Sequence, residues 1–417
     1  MDSSEIFLGL GLLLGLGVGC QVVAHRLRLP AIVLLLPVGF AVGQLTHTVD
    51  PRDLFGASFS PMVSLAVAVI LFEGGLNLKV RDLEGHSQRV VRRLVVRGVL
   101  ITWCATALIA IPLFSVSTGT AVMLGAILLV SGPTVVGPIL RIARPGQRLT
   151  AILEWESTTI DPIGAIIAAL VFQALQHQVG LRPGRELLDF AASVGFGVVA
   201  GLIGTVLLWL VIDRVGLTGV VATEATIAVV VAVAAICNSI RADTGLIAAI
   251  TMGMALANIP GIRSPEDRPF FGTLVELMIG VLFIAISATV TVDQVADVLV
   301  PSVALIAVLV LVVRPLVAVV ATHGTDLTRG ERAFIALIDP RGIVAASTAA
   351  TFAGPLAVSN IRGAEVLLPV TFLVIVGTVT IAGLLALPAK RTLGLDSIGP
   401  APGPDDPDRA PPSFAEE

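Results

Sequence analysis

Glu156 and Asp161 interrupt a long apolar run, LEWESTTIDPIGAIIAAL, and Arg314 interrupts another, LVLVVRPLVAVV. A charged side chain in the middle of a bilayer costs about 2.5 to 3.5 kcal/mol on insertion scales, so such residues mark functional sites. A buried carboxylate can exchange a proton for a monovalent cation, because hard cations prefer oxygen ligands. We therefore expect the chemistry of this chain at these few charges.

Helical geometry separates the two acids. If their span begins near Thr150, Asp161 lies about 16 Å deep at 1.5 Å per residue, close to the bilayer midplane. Ser157 precedes Asp161 by four residues and shares its face, whereas Glu156 lies about 140° away. Glu156 and Arg314 lie at similar depth, where each is costly alone and less costly as a pair. The sequence thus predicts a Glu156–Arg314 ion pair and leaves Asp161 free to titrate.

Two spans contain helix breakers at their centres. One reads AVMLGAILLV-SGPT-VVGPILRI and the other ERAFIALI-DPRG-IVAASTAA. Proline removes a backbone donor, and non-helical backbone at membrane depth is tolerated only where protein or a water-filled cavity satisfies it. Matched broken helices in two halves indicate a midplane site, whereas simple proline kinks would leave the polar residues at both breaks unexplained. The breaks consist of Ser131, Gly132, Pro133 and Thr134, and of Asp339, Pro340, Arg341 and Gly342.

The spacing of the breaks predicts two repeats of about six spans, offset by roughly 210 residues, with Ser131 and Asp339 as counterparts. Arg341 would neutralise the partial negative charge of half-helix C-termini. Asp339 has two interpretations: it is the partner of Arg341, which is the simpler one, or it is a second ion ligand.

Composition places these features in a membrane. Of the 417 residues, 55% are hydrophobic and 13% are charged, against about 25% charged in soluble domains. This balance excludes a soluble enzyme and predicts an all-α membrane protein. Apolar runs of roughly 20 residues predict thirteen spans, at 6–24, 30–46, 61–78, 90–114, 119–142, 150–173, 187–212, 219–239, 245–258, 273–290, 298–320, 331–353 and 364–388.

Basic residues orient these spans. Loops after odd-numbered spans hold 17 Lys and Arg residues and loops after even-numbered spans hold 5, which predicts an external N-terminus and a cytoplasmic C-terminus. The N-terminus is acidic rather than basic, so the first span is expected to be a retained helix. Glu73, Glu224 and Glu276 lie near cytoplasmic span ends, where they would line an inward funnel for cations, although for Glu276 a simple interfacial position is favoured. Residues 391–417, rich in Pro and Asp, are expected to form a short disordered tail.

The sequence lacks the residue patterns expected for ATP binding, for a bound metal or cofactor and for catalysis. Neither Lys79 nor Lys390 lies in a phosphate-binding loop, so we expect no ATP-driven transport. We also expect no nucleic-acid partner. The five histidines all fall between apolar runs, and the three cysteines lack C-x-x-C spacing. We therefore expect no cofactor and no catalytic residue. A channel is disfavoured because no ring of filter residues is present, and a membrane-embedded enzyme is disfavoured because no nucleophile motif is present.

An ordered set of motifs resembles the monovalent cation/proton antiporters, in the branch of bacterial sodium/proton antiporters and eukaryotic exchangers. These are FEGGLNL (72–78), SGPTVVGPIL (131–140), ESTTIDPIGA (156–165), VRPLVAV (313–319) and DPRGIVAAS (339–347). The resemblance covers essentially residues 6–390. It implies an inverted-repeat fold of thirteen spans with two crossed discontinuous helices, in a transmembrane domain of residues 1–390 that forms a homodimer. It also implies core helices at about 90–173 and 298–388, dimerisation helices at about 6–78 and 219–290, a linker helix at about 187–212, and an elevator-like movement of the core.

The resemblance also assigns roles to the residues already singled out. Asp161 matches the family's ion- and proton-binding aspartate, and Ser157 and the residues around Ser131, with Gly132 and Thr134, match auxiliary ligands. Two departures from the family pattern stand out: Ile160-Asp161 replaces an Asn-Asp pair, and Ser131-Gly132-Pro133 replaces Thr-Asp-Pro. The implied function is electroneutral exchange of Na⁺ for H⁺, with Li⁺ or K⁺ as alternative cations. An ion-coupled organic-anion symporter on a similar scaffold is the alternative of another kind.

Overall fold

The computed structural model describes residues 3–27, 29–46, 54–80, 86–176, 183–259 and 268–395. Within these residues the chain is helical apart from short turns and breaks. The first half contains eight α-helices: α1 (Ser3–Leu27), α2 (Ile32–Leu45), α3 (Phe59–Leu76), α4 (His86–Arg93), α5 (Val99–Phe114), α6 (Thr118–Leu128), α7 (Pro133–Ala143) and α8 (Gln147–Gln176).

The second half contains nine α-helices, namely α9 (Pro183–Trp209), α10 (Gly219–Ile240), α11 (Thr244–Asn258), α12 (Arg268–Ala288), α13 (Val292–Val308), α14 (Arg314–Thr322), α15 (Arg329–Leu337), α16 (Ile343–Val358) and α17 (Leu367–Thr392). Three π-helical segments continue or join neighbouring helices, at Leu94–Gly98, Leu210–Arg214 and Leu309–Val313.

Several helix starts follow directly from local sequence. The side chain of Ser117 accepts a hydrogen bond from the backbone N–H of Thr120 at the start of α6. Thr291 and Thr328 form capping boxes at the starts of α13 and α15, in which the residue three positions later bonds back to the cap. Such caps satisfy backbone donors that lipid cannot satisfy.

The helices correspond to the thirteen predicted spans, so the all-α membrane architecture is confirmed. In the described part of the chain, nine helices are long and apolar enough to cross a membrane, and α6 with α7 forms a further pair bent by 42°. The remaining three predicted spans correspond to the shorter apolar helices α2 and α11 and to α15 followed by α16. The protein is therefore a multi-pass membrane protein.

One group of helices packs through close backbone contacts. Helix α3 lies against α11, α2 lies against α12, and α1 also contacts α12. A Cβ atom added at Gly253 of α11 would lie 2.2 Å from the carbonyl oxygen of Phe72, and one added at Gly75 would lie 2.6 Å from that of Ile250. Small residues at membrane helix interfaces allow this close approach, because apolar burial alone does not hold helices together in lipid.

A second group surrounds the helix breaks. Helix α6 packs on α5 and α8, α7 packs on α8 and α17, and α16 packs on α8 and α17. Helix α9 lies mainly against α11 and α10, with a smaller contact to α8. The two groups meet where α8 approaches α11, α12 approaches α16, and α2 approaches α17. An ion-binding site on α8 is therefore positioned by the second group and flanked by the first.

The two ends of the bundle differ in charge. We call one the basic end, which carries Arg93, Arg141, Arg148 and Arg332, and the other the opposite end, which carries Arg241 and Arg362. At the basic end Arg148 pairs with Asp326 at 2.6 Å. At the opposite end Arg362 donates to the carbonyl of Ser115 at 3.0 Å. Helix α17 continues to Thr392, and the tail expected over 391–417 lies, beyond residue 395, outside the described residues.

Candidate functional site

The two helix breaks cross through their glycines. Gly132 is the N-cap of α7 and Gly342 is the N-cap of α16. A Cβ atom added at Gly132 would lie 2.8 Å from the Cα of Gly342, and one added at Gly342 would lie 2.6 Å from the Cα of Gly132. Real Cβ atoms do not approach other atoms this closely, so the backbones meet directly and any side chain here would push them apart.

This crossing corrects the predicted correspondence between the repeats. The two N-cap glycines are 210 residues apart in the sequence. Counterparts at this offset pair Ser131 with Arg341, rather than Ser131 with Asp339 as expected. The second break is also one residue longer than the first: α6 ends at Leu128 and α7 begins at Pro133, whereas α15 ends at Leu337 and α16 begins at Ile343. Pro133 opens its half-helix as its first residue, where its missing N–H costs nothing, and Pro340 lies within the longer break.

The carboxylate of Asp161 lies against this crossing. Asp161 is fully buried on α8, and a Cβ atom built at Gly132 would lie 3.6 Å from its Oδ2 atom and 3.2 Å from the Oγ1 atom of Thr134. Both carboxylate oxygens of Asp161 and the hydroxyl of Thr134 are buried without a hydrogen-bond partner among the described residues. Buried polar atoms nearly always have partners, so a cluster without them points to a bound ligand. Asp161, Thr134 and Gly132 form what we call the crossing site.

Two serines predicted as auxiliary ligands are also buried nearby. Ser157 lies one helical turn before Asp161 on α8, and its hydroxyl donates to the carbonyl of Glu154 at 3.2 Å. Because this bond uses the hydroxyl proton, the oxygen keeps lone pairs that can accept or coordinate. Ser131 lies within the first break, immediately before Gly132, and is 4% exposed. Both serines are therefore buried, and each lies within four residues in sequence of a residue of the crossing site.

Glu156 and Arg314 meet in a bidentate ion pair beside the second break. Nη1 of Arg314 lies 2.5 Å from Oε1 of Glu156, and Nη2 lies 2.9 Å from Oε2. The same guanidinium donates to the carbonyls of Ile335 at 2.9 Å and Ile338 at 2.8 Å. These carbonyls lie at the C-terminal end of α15, where a broken helix leaves acceptors without intrahelical partners. Arg314 therefore links α8 to the broken helix as well as neutralising Glu156.

Asp339 lies between two arginines. Its Oδ1 atom is 2.8 Å from Nη1 of Arg341 and 3.7 Å from Nη1 of Arg314. The backbone N–H of Arg341 donates to the hydroxyl of Thr378 at 3.3 Å, which fixes the break on α17. The structure thus places Asp339 as a partner of Arg341, which is the first of its two expected interpretations. Glu156, Arg314, Asp339 and Arg341 sum to zero formal charge, so the net charge around the crossing comes from Asp161.

A cavity of about 590 Å³ leads from the basic end toward the crossing site. Its inner wall includes Pro133, Thr134 and Thr158, and its mouth includes Arg141 and Glu276, whose side chains lie 3.7 Å apart. Thr158 is not among the site residues predicted from the sequence, because an uncharged threonine does not stand out within an apolar run.

Of the three acids near predicted cytoplasmic span ends, Glu73 and Glu276 line this cavity, and Glu73 accepts a hydrogen bond from Asn77 at 3.2 Å. Glu224 is exposed on α10 and is not among the lining residues. The funnel expectation therefore requires correction at Glu224. Glu276 is 62% exposed and pairs with Arg141 at the mouth of the cavity, which agrees with the interfacial position favoured for it. The three acids lie at similar depths, but the cavity is lined by residues of α3 and α12 and by none of α10, so the arrangement of the helices decides which acids face it.

Two crossed broken helices, a buried carboxylate without a partner at their crossing and a cavity that leads to it define a secondary transporter. The family model described as "Sodium/hydrogen exchanger, transmembrane" matches residues 11–389. The chain therefore belongs to the sodium/hydrogen exchanger family, and it is a cation/proton antiporter. Its family is one of transporters rather than enzymes.

Similar proteins agree with this assignment. The chain is 24% identical over 407 residues to the K(+)/H(+) antiporter NhaP2 of Shewanella sp. (strain ANA-3), covering 97% of this chain and 69% of that protein. It is 24% identical over 364 residues to the Probable Na(+)/H(+) antiporter 2 of Methanocaldococcus jannaschii, covering 83% and 84% respectively. The solved structure of the sodium proton antiporter MjNhaP1 from the same organism, at pH 8, superposes with a TM-score of 0.79 at 20% identity, covering 94% of this chain and 100% of that one. The fold is thus of the same antiporter type.

Proposed function

We propose that this protein exchanges Na⁺ for H⁺ and that the two ions compete for Asp161. The observation that carries this proposal is the crossing site, where three buried oxygen atoms of Asp161 and Thr134 have no partner among the described residues. A monovalent cation would be held by these oxygens, with Ser157, Ser131 and the carbonyl of Gly132 as further oxygen donors. A proton on Asp161 satisfies the same carboxylate, so only one of the two ions binds at a time.

The charge count around the site supports one-for-one exchange. The carboxylates of Glu156, which is buried, and of Asp339, which is half-buried, are each held by a guanidinium, and their two arginines balance them. Asp161 is then the one exchangeable charge of the crossing site. A monovalent cation and a proton each neutralise it equally, so the loaded site has the same net charge in either half of the cycle. We therefore propose an electroneutral antiporter.

The distribution of basic residues supports an orientation in the cell membrane. In the sequence, loops after odd-numbered spans carry 17 Lys and Arg residues and loops after even-numbered spans carry 5. By the positive-inside rule the basic end is cytoplasmic, the N-terminus is external and the C-terminus is cytoplasmic. The 590 Å³ cavity then opens to the cytoplasm. Its acids Glu73 and Glu276 would attract cations there.

Alternating access would be achieved by movement of the helices around the breaks. The core, at about residues 90–173 and 298–388, holds Asp161, both breaks and the ion pairs, which favours its movement as one unit. The helices at about 6–78 and 219–290 are joined by backbone-close contacts such as Gly75 with Gly253, which favours a rigid scaffold and the homodimer interface. Helix α9, which spans the predicted linker at 187–212, would connect the two in an elevator-like cycle. Such exchange would serve pH homeostasis.

Purified protein in liposomes tests the proposal. Addition of Na⁺ should dissipate an imposed pH gradient, and Asp161→Asn should abolish this response because a neutral amide can neither release a proton nor balance a cation. Glu224→Gln is the matched control, since Glu224 is exposed and outside the cavity. Persistent exchange in Asp161→Asn would overturn the assignment. Comparison of Na⁺, Li⁺ and K⁺ at several pH values decides the cation, and similarity to a K(+)/H(+) antiporter makes K⁺ the main alternative.

A further inference from the structure

A second cavity approaches the crossing site from the opposite end. It has a volume of about 360 Å³ and lies between α3, α10 and α11 on one side and α8 and α16 on the other. Ala165, one helical turn after Asp161, and Val344, two residues after Gly342, both line it. We call this cavity the outer crevice. It therefore ends about one helical turn from the buried carboxylate, on the side away from the basic-end cavity.

Asp243 is the one charged residue among the described residues that line the outer crevice. It lies in the turn between α10 and α11 and is half-buried. Its backbone has φ of +60°, in the left-handed region, where Asp is found more often than most residues other than glycine. Its carboxylate is therefore notable for its place in the cavity, as the one ionisable group that the described lining offers to a ligand.

The carboxylate of Asp243 does not hold the turn together. Asp243 is the N-cap of α11 but makes no side-chain cap hydrogen bond. Asn238 takes that role, because its Oδ1 atom accepts from the backbone N–H of Gly245 at 2.8 Å. The hydroxyl of Thr244 closes the turn by donating to the carbonyl of Arg241 at 2.7 Å. The Asp243 side chain is thus available to a ligand in the crevice.

The other elements around Asp243 leave its charge unbalanced. The nearest arginine along the chain, Arg241, lies 3.3 Å from Asp189 of α9, which neutralises it. Among the described crevice residues, the polar groups that the other helices contribute are neutral and carry oxygen: Ser60 and Ser64 of α3, Asn238 of α10, and Ser347, Thr348 and Thr351 of α16. A single carboxylate with neutral oxygen donors around a water-accessible crevice fits a hydrated monovalent cation.

We propose that Asp243 forms a cation-staging site, at which a hydrated monovalent cation binds in the outer crevice before it reaches Asp161. The inference rests on the proposed exchange function. It adds the route that the cation takes from the opposite end and the first residue that binds it there. The negative charge raises the local cation concentration within a narrow cleft and thereby the rate of capture. The neutral hydroxyls let the cation leave, because they bind it less strongly than a second carboxylate would.

The staging site has a pH dependence of its own. Partial burial raises the pKa of Asp243 from its ordinary value near 3.8 to about 6. The carboxylate is therefore charged well above pH 6 and neutral well below it. The benefit to cation capture is fully present at pH 7.5 and is lost as the pH at the opposite end falls through about 6. Competition between protons and cations at Asp161 persists in the absence of Asp243, so the two effects can be separated by comparison of variants.

Transport kinetics in proteoliposomes of defined orientation test the proposal. With the cation supplied at the opposite end at pH 7.5, Asp243→Asn should raise the KM for the cation about threefold or more and leave kcat unchanged. At pH 5 the KM of the variant and of the unaltered protein should become equal. When the cation is supplied at the basic end, Asp243→Asn and the unaltered protein should have the same KM for it. Glu365→Gln is the matched control, because Glu365 is exposed just before α17 and does not line the crevice.

The outcomes that overturn the proposal are specific. An unchanged KM, an equal rise at both pH values or an equal rise from both ends would each exclude a staging role for Asp243. Asp243→Glu, which keeps the charge, should retain a KM within about twofold of the unaltered protein, and failure of this rescue also counts against the proposal. If Asp161→Asn abolishes exchange while Asp243→Asn has no effect, the proposed function stands and the staging site does not.

A labelling experiment tests the crevice without any transport. In protein whose three cysteines have been replaced, Thr351→Cys should react with a membrane-impermeant maleimide added at the opposite end and not at the basic end. Gly354→Cys, on the same helix with open space around it, is the control for reagent access. Labelling of Thr351→Cys from the basic end would overturn the crevice as a route to the opposite side.

Discussion

Gly132 and Gly342 bring the backbones of the two broken helices into direct contact at the N-caps of α7 and α16. The contact is reciprocal. A Cβ atom added at Gly132 would lie 2.8 Å from the Cα of Gly342, and one added at Gly342 would lie 2.6 Å from the Cα of Gly132. Neither distance can be relieved by a side-chain rotation, because the opposing atoms are backbone. Since the carboxylate of Asp161 lies beside Gly132, this contact sets the dimensions of the crossing site.

We predict that Gly342→Ala removes most exchange activity while the protein still inserts into the membrane. The added methyl group must separate the breaks by several tenths of an ångström or more, which displaces Thr134 from Asp161 and misplaces cation ligands. Initial rates of cation-dependent proton release in proteoliposomes should fall at least tenfold. Gly354→Ala, on the same helix but with open space around it, should retain normal activity. Normal exchange in Gly342→Ala would show that the crossing tolerates a wider separation than the structure implies.

We predict that Arg314→Met destabilises the protein by about 3 to 5 kcal/mol, because it leaves the carboxylate of Glu156 buried without its partner. The substitution also removes the donors to the carbonyls of Ile335 and Ile338 that tie down the end of α15. Thermal unfolding of purified protein in detergent should show the apparent Tm lowered by several degrees. The double variant Glu156→Gln with Arg314→Met should recover part of the loss.

The control for Arg314→Met is Arg97→Met. Arg97 is exposed and donates to the carbonyl of Val320 at 3.2 Å, so its loss should cost less than about 1 kcal/mol. If Arg314→Met were no more harmful than Arg97→Met, the bidentate pair would not contribute to stability. Little recovery in the double variant would indicate that the carbonyl contacts, rather than the ion pair, carry the effect.

The sequence predicts the spans and the burial of particular charges, because both depend on position along a helix. Apolar runs and breakers locate all thirteen spans, and equal depth brings Glu156 and Arg314 to the same level in the membrane. Depth along one helix does not tell which helices surround a cavity. For this reason the sequence does not distinguish Glu73 and Glu276, which line the basic-end cavity, from Glu224 of α10, which does not.

Two further features depend on tertiary contacts that have no signal in one sequence. Glycine is common throughout this chain, so the composition alone does not distinguish Gly132 and Gly342 as the contact between breaks. Asp243 stands in a turn outside the apolar runs, where a charge is ordinary. Only the arrangement of α3, α8, α10, α11 and α16 around a common cavity places it in a crevice. The pairing of Ser131 with Arg341 rather than Asp339 likewise follows from the contact between the two glycines, which one sequence does not reveal.

We predict that Thr134→Val raises the KM for the transported cation about tenfold or more, whereas Thr134→Ser leaves it within about threefold. The hydroxyl of Thr134 is buried beside Asp161 without a partner among the described residues, so it is available as a ligand oxygen. A lost hydrogen bond or ligand contact to a charged group corresponds to roughly 1.5 to 3 kcal/mol. Valine keeps the shape of threonine and serine keeps its oxygen. Equal KM values for the two variants would exclude Thr134 as a ligand.

We predict that the rate of exchange does not depend on membrane voltage, and that Asp339→Asn does not change this property. Each net charge carried across the membrane would experience about 2.3 kcal/mol per 100 mV, which would alter the rate many-fold. The measurement compares initial rates in proteoliposomes held at 0 and −100 mV with an ionophore for an ion that the protein does not transport. Asp339 is held by Arg341 at 2.8 Å and lies 3.7 Å from Arg314, so we expect it to contribute to stability rather than to exchange ions. A voltage-dependent rate in the unaltered protein that disappears in Asp339→Asn would instead identify Asp339 as a second exchanging carboxylate.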